Sequence, residues 1–287
     1  MTFKRKIVHS SFTLLAISVF LFTESTSARA QEREIRVAVA ADLKFAMEEL
    51  AKEFESQTGT RVEVTSGSSG NFFAQIQSGA PFDLFFSADV EYPRKLEAAG
   101  LVGPGTLFEY AQGQIVIWTP ADEPLDVSRR GWNALLDPRV QRIAIANPAL
   151  APYGRAAVAA LQKAGIYEQV KTKLVYGENI SQAAQFAQSG NAQAGIIALS
   201  LALAPGMKNG KAWEIPAGMY PPIEQAAVVL KNGKNKSTAL AFMDFIKSAS
   251  GRKILQKHGF AVPAEKQQSN DSTLRGSSRP RKTESKG

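Results

Sequence analysis

The sequence contains no cysteine among its 287 residues. This absence excludes disulfides, thiolate metal sites and a lipid anchor on a lipobox cysteine. Histidine is almost as scarce, with only His9 and His258 in the chain. Because a serine nucleophile usually needs a base such as histidine beside it, this scarcity argues against a secreted hydrolase. After the first 30 residues no apolar run is long enough to predict a membrane span.

The first 30 residues have the three parts of a signal peptide in the right order. Lys4, Arg5 and Lys6 are a basic start, and residues 12–22 form an apolar core of eleven residues, too short to span a bilayer. Residues 28–30 read Ala-Arg-Ala, the small-x-small pattern of a cleavage site. We therefore predict that residues 1–30 are a signal peptide, cleaved before Gln31, and that the mature protein is exported.

The net charge of +8 arises mostly at the two ends of the chain. Residues 264–287 carry six basic and three acidic residues, and residues 1–30 carry four basic residues and one acidic residue, which leaves about +2 for residues 31–263. Residues 264–287 have one leucine as their only large apolar residue, so the composition predicts a disordered basic tail. No clustered basic face points to nucleic acid.

Between the two ends, apolar strands alternate with amphipathic helices. Residues 35–40 read as a strand, residues 42–57 as a helix with apolar positions at helical spacing, and residues 61–65 as a second strand. The same alternation continues to a helix near residues 237–248. This pattern predicts an α/β fold with mainly parallel sheets, in which ligands bind beyond the carboxyl ends of the strands.

Small or polar residues mark four junctions where a strand leads into a helix: Ala40-Ala41-Asp42, Ser68-Ser69-Gly70, Pro152-Tyr153-Gly154 and Glu178-Asn179-Ile180-Ser181. The first N–H groups of a helix have no partner inside the helix, so each junction can bind an anion or can simply be capped by a side chain. Two junctions lie in each half of the folded part. This distribution favours a cleft between two lobes.

Several motifs of this chain resemble the periplasmic molybdate-binding proteins of bacterial molybdate ABC importers. They are Ala-Ala-Asp-Leu at 40–43, Ser-Ser-Gly-Asn at 68–71, Gly-Ala-Pro-Phe-Asp-Leu-Phe-Phe-Ser-Ala-Asp at 79–89, Asn-Pro at 147–148, Pro-Tyr-Gly at 152–154, Gly-Glu-Asn at 177–179, Gly-Ile-Ile at 195–197, Tyr-Pro at 220–221 and Gly-Phe at 259–260. The resemblance covers residues 33–263, and the block at 79–89 is its most specific part.

The resemblance implies a two-lobed periplasmic-binding-protein fold with two chain crossovers and a ligand cleft between the lobes. Lobe one would comprise residues 33–112 plus 223–263, and lobe two residues 113–222. The implied function is high-affinity binding of molybdate and tungstate in the periplasm for delivery to an ABC permease. The implied protein is a monomer, not an enzyme, and uses no cofactor.

The resemblance also implies that neutral donors hold the oxyanion: Ala41 and Asp42 at the first helix, Ser69 at the second, and the backbone N–H groups of Tyr153 and Ile180. Asp42 departs from the serine or threonine common at its position. Because a carboxylate would repel a dianion, we expect Asp42 to offer its N–H and to turn its carboxylate aside as a helix cap. The Tyr153 hydroxyl either reaches the ligand or is packed away.

Three alternatives remain from the residues themselves. Phosphate or sulfate could take the place of molybdate, and an Asp42 carboxylate turned inward would accept the O–H of phosphate. A secreted hydrolase would need a catalytic pair such as Asp83 with Glu178, or a Gly-x-Ser-x-Gly motif, which Asn71 interrupts. A carrier of ferric iron or another metal cation would need clustered tyrosine, histidine or carboxylate ligands, whereas the four junctions are nearly neutral.

Overall fold

Two five-stranded sheets organise the part of the chain that the computed structural model describes, residues 34–263. The predicted signal peptide and the predicted basic tail lie outside these residues. The first sheet has the order β2-β1-β3-β10-β4, with β1 (Glu34–Ala40), β2 (Arg61–Gly67), β3 (Leu84–Ser87), β4 (Phe108–Gly113) and β10 (Ile223–Val229). The second has the order β7-β6-β8-β5-β9, with β5 (Ile115–Thr119), β6 (Ile143–Ala146), β7 (Leu174–Gly177), β8 (Ala194–Ala198) and β9 (Lys211–Glu214).

Helices connect these strands and cover the sheets. The α-helices are α1 (Lys44–Thr58), α2 (Ser69–Gln77), α3 (Glu91–Ala98), α4 (Val127–Arg130), α5 (Trp132–Leu135), α6 (Pro152–Lys163), α7 (Tyr167–Val170), α8 (Ile180–Gln188), α9 (Leu199–Ala202), α10 (Lys236–Lys247) and α11 (Ala249–Lys257). Short 3-10 turns span Ala41–Leu43, Lys171–Lys173 and Ala217–Met219. The predicted two-lobed α/β fold is confirmed. In residues 34–263, no helix is long and apolar enough to cross a membrane.

Both sheets are mixed, so the prediction of mainly parallel sheets was wrong. In the first sheet β1 pairs in parallel with β2 and β3, but β10 runs antiparallel to β3 and β4. In the second, β6 pairs in parallel with β7 and β8, but β5 runs antiparallel to β8 and β9. The error came partly from β5, which runs antiparallel to β8, and partly from β4, β9 and β10, which the helix–strand alternation did not predict. These strands lie next to the places where the chain passes between the sheets.

Strand β1 shows why the first sheet is buried on both faces. Ile35, Val37 and Val39 pack with α1 and α10 on one face, whereas Ala38 packs with Phe72 of α2 on the other. Alternate residues of a strand point to opposite faces, so helices on both sides require an apolar residue at nearly every position. The apolar run that predicted this strand is therefore the signature of a central, doubly covered strand.

The chain passes between the sheets twice within residues 34–263. Gln114 alone separates β4 from β5, and the return runs from Glu214 to Ile223. The two passages meet where the Ile115 N–H donates to the Tyr220 hydroxyl at 3.4 Å. All strands of the first sheet lie within residues 34–113 and 223–229, and all strands of the second within 115–214. We accordingly propose residues 33–112 with 223–263 as the first lobe and residues 113–222 as the second.

Candidate functional site

The four junctions come together at one small cavity between the two sheets. All five site residues predicted from the sequence line this cavity: Ala41, Asp42, Ser69, Tyr153 and Ile180. Ser68, Ala88, Pro152 and Asn179 also line it. The space inside measures about 10 Å³, which is room for a single water-sized sphere. The two lobes thus meet closely around the convergent junctions.

Two glycines let the backbones approach each other at this place. A Cβ on Gly154, near the start of α6, would stand 2.2 Å from the carbonyl oxygen of Ala146. A Cβ on Gly70, in the first turn of α2, would stand 2.7 Å from the carbonyl oxygen of Leu150 in the other lobe. Both distances are far shorter than a van der Waals contact, so each position needs glycine for space.

Hydrogen bonds cross from one lobe to the other all around the cavity. The Ser68 hydroxyl and the Gly70 N–H both donate to the Leu150 carbonyl, at 2.6 and 3.0 Å. From the second lobe, the Ser181 hydroxyl donates to the Ala41 carbonyl at 3.0 Å, and the Ser200 hydroxyl donates to the Asp42 carbonyl at 2.8 Å. The second lobe therefore holds the 3-10 turn of the first by its backbone carbonyls.

Two further contacts bridge the lobes at the rim. The Asn71 amide donates to the Glu178 carboxylate at 2.9 Å, and Arg155 forms an ion pair with Asp89. Glu178 and Asp83 do not form a catalytic pair, because Asp83 instead accepts hydrogen bonds from the N–H groups of Arg36 and Asn235. The carboxylate pair that a hydrolase would need is therefore not assembled.

Ser69 lies in the first turn of α2 and is buried. Its hydroxyl oxygen accepts a hydrogen bond from the Ala88 N–H at 3.0 Å. A hydroxyl accepts and donates at once, so this contact fixes the oxygen at the cavity wall and leaves the proton free to point inward. His258 lies elsewhere, 2.8 Å from the Glu49 carboxylate, and gives Ser69 no base.

Asp42 is buried, with only 1% of its surface exposed. Its Oδ2 accepts hydrogen bonds from the Tyr153 hydroxyl at 2.9 Å and from the Gln225 Nε2 at 2.6 Å. Its Oδ1 is equally buried and has no hydrogen-bond partner among the described residues. The carboxylate is turned aside, as expected, but the expectation that it caps a helix was wrong: neither the 3-10 turn nor α1 has a side-chain cap. The reason is that the carboxylate accepts hydrogen bonds from Tyr153 and Gln225 instead of from the helix N–H groups.

The Asp42 carboxylate belongs to a buried polar network. Gln225 also donates to the Tyr153 hydroxyl at 2.9 Å, and its Oε1 accepts from the Tyr110 hydroxyl at 2.6 Å. Burial raises the pKa of Asp42 to about 6, although the hydrogen bonds from Gln225 and Tyr153 pull it down, as do the neighbouring N–H groups of Asp42 and Leu43. Burial, together with the charge of Asp42, also raises the pKa values of Tyr110 and Tyr153 well above their usual range. Both phenols are therefore neutral donors at ordinary pH.

Sequence reasoning missed Gln225 and Tyr110. Both lie on strands that were not predicted, β10 and β4. Gln225 is fully buried, and the available signal was an amide directly before the apolar residues 226–229 of β10. A buried amide must find partners, so such a residue points to a polar network even when its partners are distant in sequence.

The arrangement suits an anion held by hydrogen bonds. The first turns of α6 and α8 present their backbone N–H groups at Tyr153 and Ile180, and such groups favour negative charge without a cation. In residues 34–263, no group of three or more histidine, cysteine or carboxylate side chains could hold a metal ion. The cavity residues would therefore contact the oxygen atoms of an oxyanion and would not ligate its central atom.

Comparison with known proteins places the chain among binding proteins. Residues 35–261 match the family model described as bacterial extracellular solute-binding protein. The chain is 39% identical to the molybdate-binding protein of Azotobacter vinelandii over 88% of this chain and 99% of that protein. It is 40% identical to the molybdate-binding protein of Rhodobacter capsulatus over 80% of this chain and 88% of that protein.

A solved structure is similar throughout the described fold. The periplasmic molybdate-binding protein of Azotobacter vinelandii superposes with a TM-score of 0.76 at 35% sequence identity, covering 80% of this chain and 100% of that one. The similarity therefore spans the whole length of that structure.

Proposed function

The chain belongs to the family of bacterial extracellular solute-binding proteins, and we propose that it binds molybdate and delivers it to the membrane permease of an ABC importer. The observation that carries this proposal is the convergence of four strand–helix junctions, with the first turns of α2, α6 and α8, on one cavity. The relatives named for molybdate binding add support, because they match this chain over nearly its whole folded part. The protein acts as a carrier in this proposal and performs no chemistry on its cargo.

The donors of the cavity fit a tetrahedral dianion. Removing a dianion from water is costly unless many donors replace the water. The donors that replace this water are, in our proposal, the N–H groups of Ala41, Asp42, Tyr153 and Ile180 and the Ser69 hydroxyl. Molybdate and tungstate are nearly equal in size, so we expect similar affinity for both. Sulfate has the same charge and shape but is smaller, so a rigid cavity discriminates against it by size.

The proposed site is divided between the lobes, which gives a reason for closure. Asp42 and Ser69 belong to the first lobe, whereas Tyr153 and Ile180 belong to the second. The anion obtains its full set of donors only when the lobes meet, so binding should draw them together. Small-angle scattering of the purified protein should show a smaller radius of gyration with molybdate than without it, and an unchanged radius would contradict closure on binding.

Hydrogen phosphate is the second candidate, favoured by one observation. Asp42 lines the cavity, and its buried Oδ1 has no partner within residues 34–263; an ionised carboxylate turned toward the anion would accept the O–H of a protonated oxyanion. Sulfate carries no proton at neutral pH and would gain nothing from it. An ionised Asp42 would therefore form a hydrogen bond with hydrogen phosphate and would only repel sulfate.

Calorimetry with four anions tests the proposed function. We expect molybdate and tungstate to bind with similar affinity and sulfate to bind at least about a hundredfold more weakly, a difference of about 2.7 kcal/mol. Equal affinity for sulfate would contradict the proposal, and tighter binding of phosphate would favour the second candidate. Light scattering on the same samples would check the proposed monomer.

Export to the periplasm completes the proposal. Residues 1–30 would direct export and be removed before Gln31, as expected for a protein that meets its ligand outside the cytoplasm. Mass spectrometry of the protein purified from the periplasm should find Gln31 as the first residue. An intact N-terminus would contradict the proposed cleavage.

A further inference from the structure

We propose that Asp42 binds the oxyanion as a neutral carboxylic acid, with a proton on Oδ1 donated to one oxygen atom of the anion. Binding at neutral pH then takes up one proton from solvent. This inference rests on the proposed function for the identity of the anion. It assigns to Asp42 a side-chain role that its backbone N–H alone would not require.

The network fixes which oxygen carries the proton. The Tyr110 hydroxyl donates to Gln225 Oε1 at 2.6 Å, so the other end of the amide, Nε2, must be the donor that faces Asp42. Gln225 Nε2 and the Tyr153 hydroxyl then both donate to Oδ2. With two donors aimed at Oδ2, a proton on the carboxyl group is placed on Oδ1.

Oδ1 is also the carboxyl oxygen that the network leaves without a partner within residues 34–263. It is buried, and Asp42 is one of the residues that line the cavity. Burial disfavours the ionised form more than the hydrogen bonds to the carboxylate favour it, and a dianion in the cavity would add direct repulsion. A proton on Oδ1 removes the charge and converts repulsion into a hydrogen bond to the anion.

Within residues 34–263, no cation near Asp42 offers another way to neutralise the carboxylate. The titratable groups in contact with its network are Tyr153 of α6 and Tyr110 of β4, both neutral phenols. Arg155 of α6 is paired with Asp89. Glu224, the neighbour of Gln225 on β10, is exposed and could only add negative charge.

The other elements that pack around the turn supply no compensating charge either. Helices α8 and α9 contain no charged residue. On α1 every charged side chain is exposed or half-buried, and Lys44, the nearest in sequence, extends over the Phe45 ring. On β1, Glu34 and Arg36 form an ion pair with each other at the opposite end of the strand. Protonation is therefore the way this cavity accommodates Asp42 beside an anion.

The proton balance gives a direct observable. Ionised Asp42, one molybdate dianion and one proton combine to form the complex, in which the proton lies between Oδ1 and an anion oxygen. The pKa of Asp42 is about 6 in the absence of an anion, so the group is mostly ionised above that pH and each binding event consumes a proton. The dissociation constant should then rise about tenfold per pH unit above pH 7.

The experiment is calorimetry of the mature protein with sodium molybdate at pH 7.0, 7.5, 8.0 and 8.5, each in two buffers of different ionisation enthalpy. We expect uptake of about one proton per molybdate and the tenfold rise in dissociation constant per pH unit. For Asp42→Asn we expect no proton uptake and a flat pH profile, because the amide keeps an acceptor for Tyr153 and Gln225 and offers Nδ2 to the anion. At pH 8.5 this variant should bind at least about tenfold more tightly than the wild type.

Asp89→Asn is the matched control, since it removes a carboxylate at the same lobe interface that has its own partner in Arg155. It should retain the uptake of one proton whatever its affinity. Wild-type binding without proton uptake would overturn the inference and leave the proposed function standing. Absence of molybdate binding at every pH would instead overturn the proposed function. Should Asp42→Asn fail to fold, the number of protons that the wild type takes up per molybdate still tests the inference by itself.

Discussion

The two walls of the cavity are built from different kinds of group. The first lobe supplies side chains, the Asp42 carboxyl and the Ser69 hydroxyl. The second lobe supplies backbone at Tyr153 and Ile180, and its own side-chain hydroxyls at Ser181 and Ser200 reach across to carbonyls of the first lobe. The difference teaches that the first wall offers side-chain groups to the anion, which a substitution can remove, whereas the second offers backbone N–H groups, which only a change of shape can displace.

The pH dependence of the free energy of unfolding tests whether Asp42, in the first wall, has a raised pKa in the folded protein. The pKa of Asp42 is about 6 in the folded protein against a usual 3.8. A raised carboxyl pKa means that its contribution to stability is fully present below about pH 4 and is lost as pH rises through 6. As the pH rises and Asp42 ionises, we expect this group to lower the free energy of unfolding by about 3 kcal/mol. Urea unfolding at pH 4, 5, 6 and 7 should show it as a pH-dependent difference between the wild type and Asp42→Asn, and a constant difference would contradict it.

A shape change tests the second wall. Gly154→Ala places a Cβ 2.2 Å from the Ala146 carbonyl oxygen, a backbone atom that cannot move aside. We expect a loss of about 2–3 kcal/mol in the free energy of unfolding, measured by urea denaturation, and weaker molybdate binding. Gly218→Ala is the control, because no atom lies within 4 Å of its Cβ. Equal behaviour of the two variants would show that the wall tolerates displacement.

Removal of one hydroxyl tests the first wall. Ser69→Ala deletes a donor that the Ala88 N–H holds at the cavity, and one anion oxygen then lacks a partner. We expect about 2 kcal/mol weaker molybdate binding by calorimetry, because an unmet polar group in a closed site is costly. Ser78→Ala, an exposed serine at the end of α2, should bind as the wild type does. Unchanged affinity in Ser69→Ala would remove Ser69 from the site.

The smallest effect is expected for a side chain of the second wall. Tyr153→Phe removes a hydroxyl that donates to Asp42 and keeps the backbone N–H in place. Because the hydroxyl is engaged with Asp42 and Gln225, we expect the binding free energy to change by no more than about 1 kcal/mol, less than for Ser69→Ala, together with a higher pKa of Asp42. A loss in calorimetry as large as that of Ser69→Ala would mean that the hydroxyl reaches the anion.

The junctions could be predicted from the sequence because their signals are local. Ser68-Ser69-Gly70 and Pro152-Tyr153-Gly154 each combine a helix start with a residue small enough for close approach, and both patterns fit in three residues. The bounds of the two lobes came from the family resemblance and stay a prediction. Whether Ser69, Tyr153 and the others bind molybdate stays a prediction until binding is measured.

The Asp42 network could not be predicted, because its members lie far apart in the sequence. Tyr110, Tyr153 and Gln225 reach Asp42 from three separate elements. Two of these elements, β4 and β10, are the antiparallel strands that the alternation of helix and strand did not indicate. The direction of the Asp42 carboxylate depends on these partners, so no local rule about helix caps could give it.

By itself, the sequence determined the export signal pattern, the α/β class and the places where backbone donors start helices, since spacing and residue size within a few positions decide each of these. Only the tertiary structure decided that four such places meet in one cavity, that Gln225 and Tyr153 donate to Oδ2, and that Oδ1 has no partner within residues 34–263. The physical reason is that burial and hydrogen-bond partners are set by packing between distant segments, and these set the pKa of Asp42.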